Sequence, residues 1–176
     1  MALSRAPDLP AETVARAQRF WRWAGGVLAS LAAGWVLMAW VKGYYEIWLN
    51  ETQSLPGHVY LIEKGTMALG RGELLAFRGG PNKRYPANYP WVKIVGGVGG
   101  DLVTATDGWY YVNGQRIGHA KPRTRFGEPL APGPTGVIPP GHYFIYTPHK
   151  DSYDSRYADI GWIRPEQGVG RAFPLF

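Results

Sequence analysis

The sequence predicts a mainly β domain, either an antiparallel barrel or a pair of packed sheets, that follows one N-terminal transmembrane helix. Three observations lead to this fold class. A single uncharged segment is long enough to cross a bilayer. Several short β-type runs separated by glycine- and proline-rich turns follow it. The chain has 24 glycines and 15 prolines but only 18% charged residues, which favours short strands and turns over long soluble helices.

The transmembrane helix is predicted at residues 24–42. No charged residue lies between Trp23 and Val41, so a helix there is about 28 Å long at about 1.5 Å per residue. This length is close to the bilayer core of about 30 Å. A buried core helix is disfavoured because the segment is apolar on all sides. A cleaved signal peptide is the other alternative, but no small-x-small cleavage site follows the segment, which favours an uncleaved anchor.

The charges around this helix predict its orientation. Residues 1–23 are polar and basic and contain four arginines, whereas only Lys42 closely follows the helix. The positive-inside rule therefore predicts a cytoplasmic N-terminal segment at 1–23 and places residues 43–176 on the far side of the membrane as one domain. Tyr44, Tyr45 and Trp48 are typical of an interfacial aromatic belt.

The β-type runs begin about fifteen residues after the helix and continue to the last third of the chain. Asn113-Gly114 joins two of them and is a strong signal for a two-residue hairpin turn. The predicted strands lie at 58–62, 74–77, 91–95, 102–104, 109–112, 116–117 and 143–146.

Composition excludes several kinds of site. The absence of cysteine rules out disulfides, a thiolate nucleophile and a cysteine zinc site. The four histidines lack metal-ligand spacing, and no phosphate-binding glycine motif leads into a helix, so we expect no metal and no cofactor. The net charge of +6 comes from scattered residues without a reading helix. It suits an anionic lipid surface, and we expect no nucleic acid partner.

Three places in the chain carry candidate chemistry, each with an ordinary structural alternative. Ser54 precedes Leu-Pro-Gly and is either a turn residue or a nucleophile close to the membrane. Lys93 alternates with Trp91 and Val95 on one face of a predicted strand. It is either a buried lysine with a lowered pKa or an exposed lysine that protects a sheet edge. Residues 149–157 are either a solvated turn or a polar loop that orients a catalytic group.

At these three places the sequence resembles the membrane-bound signal peptidases that use a Ser/Lys dyad. Residues 52–56 (Thr-Gln-Ser-Leu-Pro) are similar to their nucleophile box, and residues 93–101 match the Lys-to-Asp spacing of their lysine box. Residues 112–114 (Val-Asn-Gly) resemble the hairpin that follows, and residues 152–156 (Ser-Tyr-Asp-Ser-Arg) resemble the last box. The resemblance covers roughly residues 40–165.

Departures from the general pattern indicate a subfamily. Leu55 replaces the usual Met, and Ile94 replaces the basic residue after the lysine. The compact form and the Asn-x-Thr-x-Ser-Leu-Pro-Gly pattern at residues 50–57 are similar to the TraF-type peptidases of conjugative transfer, which mature the pilin subunit and in some cases cyclise it. The alternatives are a general type I signal peptidase and a non-catalytic, membrane-tethered β-domain of a secretion assembly.

The resemblance implies a fold, a location and a set of roles. It implies a signal-peptidase-like Ser/Lys peptidase domain at 43–176 on the periplasmic side of a bacterial inner membrane, with a membrane-associated pilin or preprotein as substrate. Ser54 would be the nucleophile and Lys93 its base. The Thr52 hydroxyl and the Ser54 N–H would hold the oxyanion. Ser152 would orient the lysine, and Asp154 and Arg156 would support that loop.

Overall fold

The computed structural model describes residues 10–50, 54–80 and 84–176. Helix α1 spans Ala11–Tyr44, and the chain divides at Gly43 into two compact units, the second being Tyr44–Phe176. The 34 residues of α1 make a helix about 51 Å long, which exceeds the bilayer core of about 30 Å. The helix is apolar enough to cross a membrane, and its large apolar side chains, such as Trp35, are exposed. These properties indicate a membrane anchor.

The second unit consists of antiparallel strands in two sheets, so the prediction of a mainly β fold with packed sheets is confirmed. The strands are β1 (Tyr45–Leu49), β2 (Val59–Lys64), β3 (Leu74–Arg78), β4 (Pro90–Val98), β5 (Leu102–Thr106), β6 (Trp109–Val112), β7 (Gln115–His119), β8 (Gly136–Val137), β9 (Tyr143–Tyr146) and β10 (Gly168–Pro174). The six-stranded sheet has the order β1-β2-β10-β3-β4-β9, and the four-stranded sheet has the order β7-β6-β5-β8.

Strand β4 separates two apolar clusters, one on each face of the six-stranded sheet. Trp91 and Val95 are buried in the first cluster, whereas Val92 and Ile94 pack against the second. This is the alternation that a two-residue period predicts. Lys93 lies on the same face as Trp91 and Val95, so the fold places a lysine between two core side chains.

A third cluster joins the two sheets. It contains Val112 of β6, Phe144 of β9 and Ile138. Gly97 of β4 lies at this contact, where a Cβ atom would approach the Ile138 Cδ1 to 2.8 Å. Glycine at this position therefore lets the four-stranded sheet pack directly against the strand that carries Lys93.

The predicted hairpin at Asn113-Gly114 is confirmed. Strands β6 and β7 pair with Val112 opposite Gln115, and the two turn residues have φ values of 48° and 79°. Positive φ at both central positions is the signature of a type I′ turn, whose twist matches that of the flanking strands.

Asp101, the last residue of the lysine box, holds this region together. Its carboxylate pairs with Arg71 and accepts hydrogen bonds from the Val98 N–H (2.8 Å) and the Asn113 side-chain amide (2.9 Å). The hydrogen bond from Arg71 is the main cause that lowers the pKa of Asp101 to about 2. Asp101 thus fixes the turn after β4 to the β6–β7 hairpin.

Three strands were not predicted. Strand β10 is the most important, because it lies between β2 and β3 in the larger sheet. A Cβ atom at Gly170 would lie 1.9 Å from the Glu63 carbonyl oxygen, so the neighbouring backbone approaches too closely for any side chain. The glycines that permit this contact also weaken the strand pattern in the sequence. Strands β1 and β8 were missed as well.

Trp48, one of the residues of the predicted aromatic belt, packs partly within the β domain. It lies in β1, packs against the second apolar cluster and donates its indole N–H to Glu46 at 2.8 Å. The Arg78 guanidinium lies 5.3 Å from its ring. The apolar surface of Trp48 is therefore used within the domain, because the chain enters the sheet directly after α1.

Candidate active site

The segment around Ser54 is tied to its neighbours by Asn50. The Asn50 side-chain amide donates to the carbonyl oxygens of Leu55 (3.3 Å) and Gly57 (3.1 Å). The Asn50 backbone N–H donates to the backbone carbonyl oxygen of His58 (2.8 Å). Gly57 has a φ of 92°, which only glycine adopts without strain. The chain therefore turns back sharply between Ser54 and β2.

Core packing also fixes the segment around Ser54. Leu55 is buried in the second apolar cluster, and Tyr60 of β2 donates its hydroxyl to the Pro56 carbonyl. Ser54 itself is half-buried. The buried side chain of the next residue therefore restrains the backbone at Ser54.

Lys93 is buried, with 2% of its surface exposed, so the edge-strand alternative does not apply. Burial disfavours the charged ammonium and lowers the pKa of Lys93 to about 8. The Asp154 carboxylate raises the pKa of Lys93 and so opposes the effect of burial, whereas the Arg156 guanidinium lowers this pKa further. At neutral pH a lysine with this pKa is unprotonated in roughly one molecule in ten.

Two serine hydroxyls contact the Lys93 amine. The Nζ atom lies 3.2 Å from the Ser54 Oγ and 3.2 Å from the Ser152 Oγ. A neutral amine has two N–H donors and one lone pair. If Ser152 accepts one N–H, the lone pair is available for the Ser54 hydroxyl proton. The arrangement is that of a hydroxyl, an adjacent base and a third group that orients the base.

A buried ion pair lies beneath this contact. The Asp154 carboxylate binds the Arg156 side chain in a bidentate manner, through Nε at 2.8 Å and a terminal nitrogen at 2.7 Å. The same carboxylate accepts backbone N–H groups from Arg156 (3.2 Å) and Thr147 (3.4 Å). Both charged side chains are almost fully buried. A pair of this kind is costly to break, because either partner alone would be an uncompensated buried charge.

The loop that carries Ser152 is also attached to the sheets at two points. Ser155 exchanges hydrogen bonds with the Ile145 backbone of β9, at 3.1 Å and 2.9 Å. Arg156 donates to the His119 carbonyl of β7 at 3.0 Å. The absence of a side chain at Gly118 makes room for this guanidinium, since a Cβ there would lie 2.5 Å from it. Both sheets therefore hold Ser152 against Lys93.

Two cavities meet at Ser54 and Lys93, and both residues line each of them. The first has a volume of about 280 Å³, and four of its lining side chains are aromatic. The second, on the side of Ser152, has a volume of about 170 Å³. The first is lined further by Trp48, Leu49, Asn50, Tyr60, Tyr89, Pro90, Trp91 and Val92, and the second by Tyr85, Trp91, His149, Asp151, Ser152 and Tyr153.

The structure brings together five of the six residues that the sequence singled out. Ser54, Lys93 and Ser152 are in direct contact, and Asp154 pairs with Arg156 directly behind them. The sixth, Thr52, lies outside the described residues.

Sequence reasoning did not assign the roles of Asn50 or of the aromatic side chains around the site. Tyr85 packs edge-on against Trp91 with ring centroids 4.5 Å apart and stacks on Tyr153 at 6.1 Å. The density of tyrosines between residues 85 and 89 and between 153 and 157 was the available signal. It does not show which rings meet, because the two segments are far apart in the chain.

Comparison with known proteins gives one positive result. A family model described as "Signal peptidase, peptidase S26" matches residues 20–176. The match includes most of α1 and every strand of the second unit. A comparison with curated protein sequences gives no significant match.

Proposed function

The chain belongs to the signal peptidase family, peptidase S26, and from this premise we propose that it is a membrane-anchored serine endopeptidase with Ser54 as nucleophile and Lys93 as general base. One observation carries the assignment: a lysine that is 2% exposed has its amine 3.2 Å from a serine hydroxyl. Burial keeps the pKa of this lysine near 8. A solvent-exposed lysine would be almost entirely protonated at neutral pH.

In the first step the Ser54 Oγ attacks the carbonyl carbon of the scissile peptide bond while its proton passes to the unprotonated Lys93 amine. The tetrahedral intermediate collapses when the C–N bond breaks. Lys93 then returns the proton to the leaving amine. The Ser152 hydroxyl, 3.2 Å from the lysine nitrogen, acts as a positioning group throughout. The product is an ester between the substrate and Ser54.

In the second step a nucleophile attacks this ester. Water gives hydrolysis, whereas the amino terminus of the same substrate gives a cyclic peptide. In either case Lys93 accepts a proton from the nucleophile and returns it to the Ser54 oxygen. The Ser54 N–H and the Thr52 hydroxyl are the proposed donors to the oxyanion, and the loss of one such donor typically costs about 2.7–4 kcal/mol of barrier.

The proposed substrate is a membrane-associated pilin precursor of a conjugative transfer system, with cyclisation as one fate of the acyl group. The support is the subfamily pattern of the sequence, with Leu55-Pro56-Gly57 after the nucleophile and Ile94 after the lysine. A general preprotein is the alternative substrate. The proposed location is the bacterial inner membrane, with residues 1–23 in the cytoplasm and the peptidase domain at 43–176 in the periplasm.

The dyad is tested with four variants of the full chain and a serine-directed acylating probe at neutral pH. Wild type should be labelled at Ser54 and should process its substrate. Ser54→Ala and Lys93→Ala should insert and fold but should neither be labelled nor process. Ser30→Ala in α1 and Lys64→Ala in β2 are matched controls that should behave as wild type. Full processing by Lys93→Ala would refute the dyad, and failure of wild type to be labelled would favour the non-catalytic β-domain.

The substrate is tested by mass spectrometry of a pilin subunit produced in the same cells. A shortened linear product indicates hydrolysis, and a product lighter than that by one water indicates cyclisation. If a general secretory preprotein is processed and the pilin is not, the general signal peptidase alternative is correct.

Protease added to spheroplasts should degrade the β domain while the N-terminal segment survives, and the reverse pattern would contradict the proposed orientation.

A further inference from the structure

A larger cleft of about 590 Å³ adjoins the site on the side of Ser152. It shares Tyr85, His149, Asp151, Ser152 and Tyr153 with the smaller cavity that Ser54 and Lys93 line. Its volume lies within the range of about 300–1,000 Å³ that is typical of ligand sites. A polypeptide that occupies the smaller cavity therefore meets this cleft next.

The cleft has an excess of positive charge. Four cationic side chains line it against two carboxylates, those of Glu128 and Asp151. Ion pairs already neutralise two of the cations. Arg84 binds Asp159 at 2.8 Å and Glu128 at 3.3 Å, and Lys121 binds Asp151.

The other two cations are Arg123 and Arg125, and neither has a carboxylate partner within the part of the chain that the structure describes. Arg123 donates to the Gly127 carbonyl at 2.8 Å, and the Arg125 guanidinium lies 4.8 Å from the Phe126 ring. Both side chains are exposed. A ligand carboxylate can reach them without displacing an existing ion pair.

The turn that carries these arginines is held by its own hydrogen bonds. The Thr124 hydroxyl accepts hydrogen bonds from the backbone N–H groups of Phe126 and Glu128, each at 3.2 Å. The backbones of Arg123 and Pro129 pair in an isolated antiparallel β-bridge. The two guanidinium groups are thus attached to a defined backbone. A preorganised charge loses less entropy on binding than one on a loose segment.

Aromatic surface accompanies the charge. The Phe126 side chain is 78% exposed, and the ring of Tyr153 stacks on that of Tyr157 at 5.4 Å. All three side chains line the cleft. The exposed Phe126 ring therefore offers an apolar face for a large side chain, together with two available guanidinium groups for carboxylates.

We infer that this cleft binds a segment of the substrate polypeptide that contains acidic residues together with apolar or aromatic ones. The segment lies several residues from the scissile bond, beyond the side of the site that Ser152 bounds. This inference rests on the proposed function for the identity of the occupant. It adds a specificity element that acts through Arg123 and Arg125, outside the Ser54–Lys93 contact.

Binding without catalysis tests the inference. The full-length Ser54→Ala variant in detergent micelles is titrated into a fluorescein-labelled octapeptide that contains three glutamates and two tyrosines, and anisotropy is followed. The same peptide with glutamine in place of glutamate is the matched ligand. Two additional exposed ion pairs should make the acidic peptide bind about twofold to thirtyfold more tightly. This preference should fall as salt concentration rises.

The arginines are tested by charge-matched variants. Arg123→Gln combined with Arg125→Gln should abolish the preference for the acidic peptide. Arg116→Gln combined with Arg164→Gln removes the same charge from exposed positions outside the cleft and should leave the preference intact. Equal binding of the two peptides, or an equal loss with both double variants, overturns the inference. Cleavage by wild type is measured separately with quenched peptides, so failure of the peptidase assignment is distinguished from failure of the cleft.

Discussion

Replacement of Lys93 by methionine tests whether the lysine is buried at a cost to stability. Methionine has a similar length and no charge, so the change removes the titrating group and keeps most of the packing. In the folded protein the pKa of Lys93 is lowered from 10.5 to about 8. Each unit of pKa corresponds to about 1.4 kcal/mol, so the ionisable amine costs about 3 kcal/mol of stability at pH 7.

The direction in which the stability changes with pH follows from proton binding. Between pH 8 and 10.5 the unfolded chain holds a proton on Lys93 that the folded protein has released, so the stability of the wild type rises with pH. The wild type reaches its full stability only above pH 10.5, where the lysine is neutral in both states. This gain in stability is lost as the pH falls through 8. The free energy of unfolding of Lys93→Met should therefore exceed that of the wild type by about 2 kcal/mol less at pH 9.5 than at pH 7.

Urea unfolding of the full chain in micelles, followed by near-ultraviolet circular dichroism, measures this difference at each pH. Packing changes that do not depend on pH cancel when the two pH values are compared. Ser54→Ala removes the hydrogen bond but no titrating group, and it serves as the control. A difference between Lys93→Met and wild type that stays constant from pH 7 to 9.5 would refute a buried lysine with a lowered pKa.

Four further outcomes are expected. The kcat/KM of wild type should rise about tenfold per pH unit below pH 8 and level off above it, since the unprotonated form of Lys93 is the proposed base. Ser152→Ala should lower kcat by about 10-fold to 100-fold with little change in KM, because it releases the lysine amine; steady-state kinetics measures both, and an unchanged kcat would remove the positioning role. Asp154→Asn should cost about 3–5 kcal/mol in urea unfolding, because Arg156 is left buried without its counter-charge; a loss below 1 kcal/mol would contradict this. Gly170→Ala should cost about 1–3 kcal/mol because its Cβ meets the Glu63 carbonyl, whereas Gly80→Ala, with open space around it, should be close to neutral in the same assay.

Short-range patterns were sufficient to predict several elements. The length and uniform apolar character of the first segment predict a helix that can cross a membrane, because these are properties of one continuous stretch. The alternation around Lys93 predicts the face on which it lies, and Asn113-Gly114 predicts its turn. Each of these conclusions depends on residues within one element.

Contacts between distant segments were not accessible in the same way. Strand β10 enters the middle of the larger sheet because Gly170 tolerates the neighbouring backbone, yet glycine reads as a strand breaker in isolation. The stacking of Tyr85 on Tyr153 joins residues that are 68 positions apart. The cleft that holds Arg123 and Arg125 is likewise built from segments that meet only in the folded chain.

The candidate site shows the same division. The sequence by itself determined which residues are candidates for the chemistry, because Ser54, Lys93 and the 152–156 loop fall in motifs with recognisable order and spacing. It left open whether Lys93 faces solvent or the core. Only the tertiary structure decided this, because the burial that lowers the pKa of Lys93 comes from the sheet around β4 and from a loop that follows more than fifty residues later. Desolvation is a property of everything that surrounds a group, and no single stretch of sequence contains it.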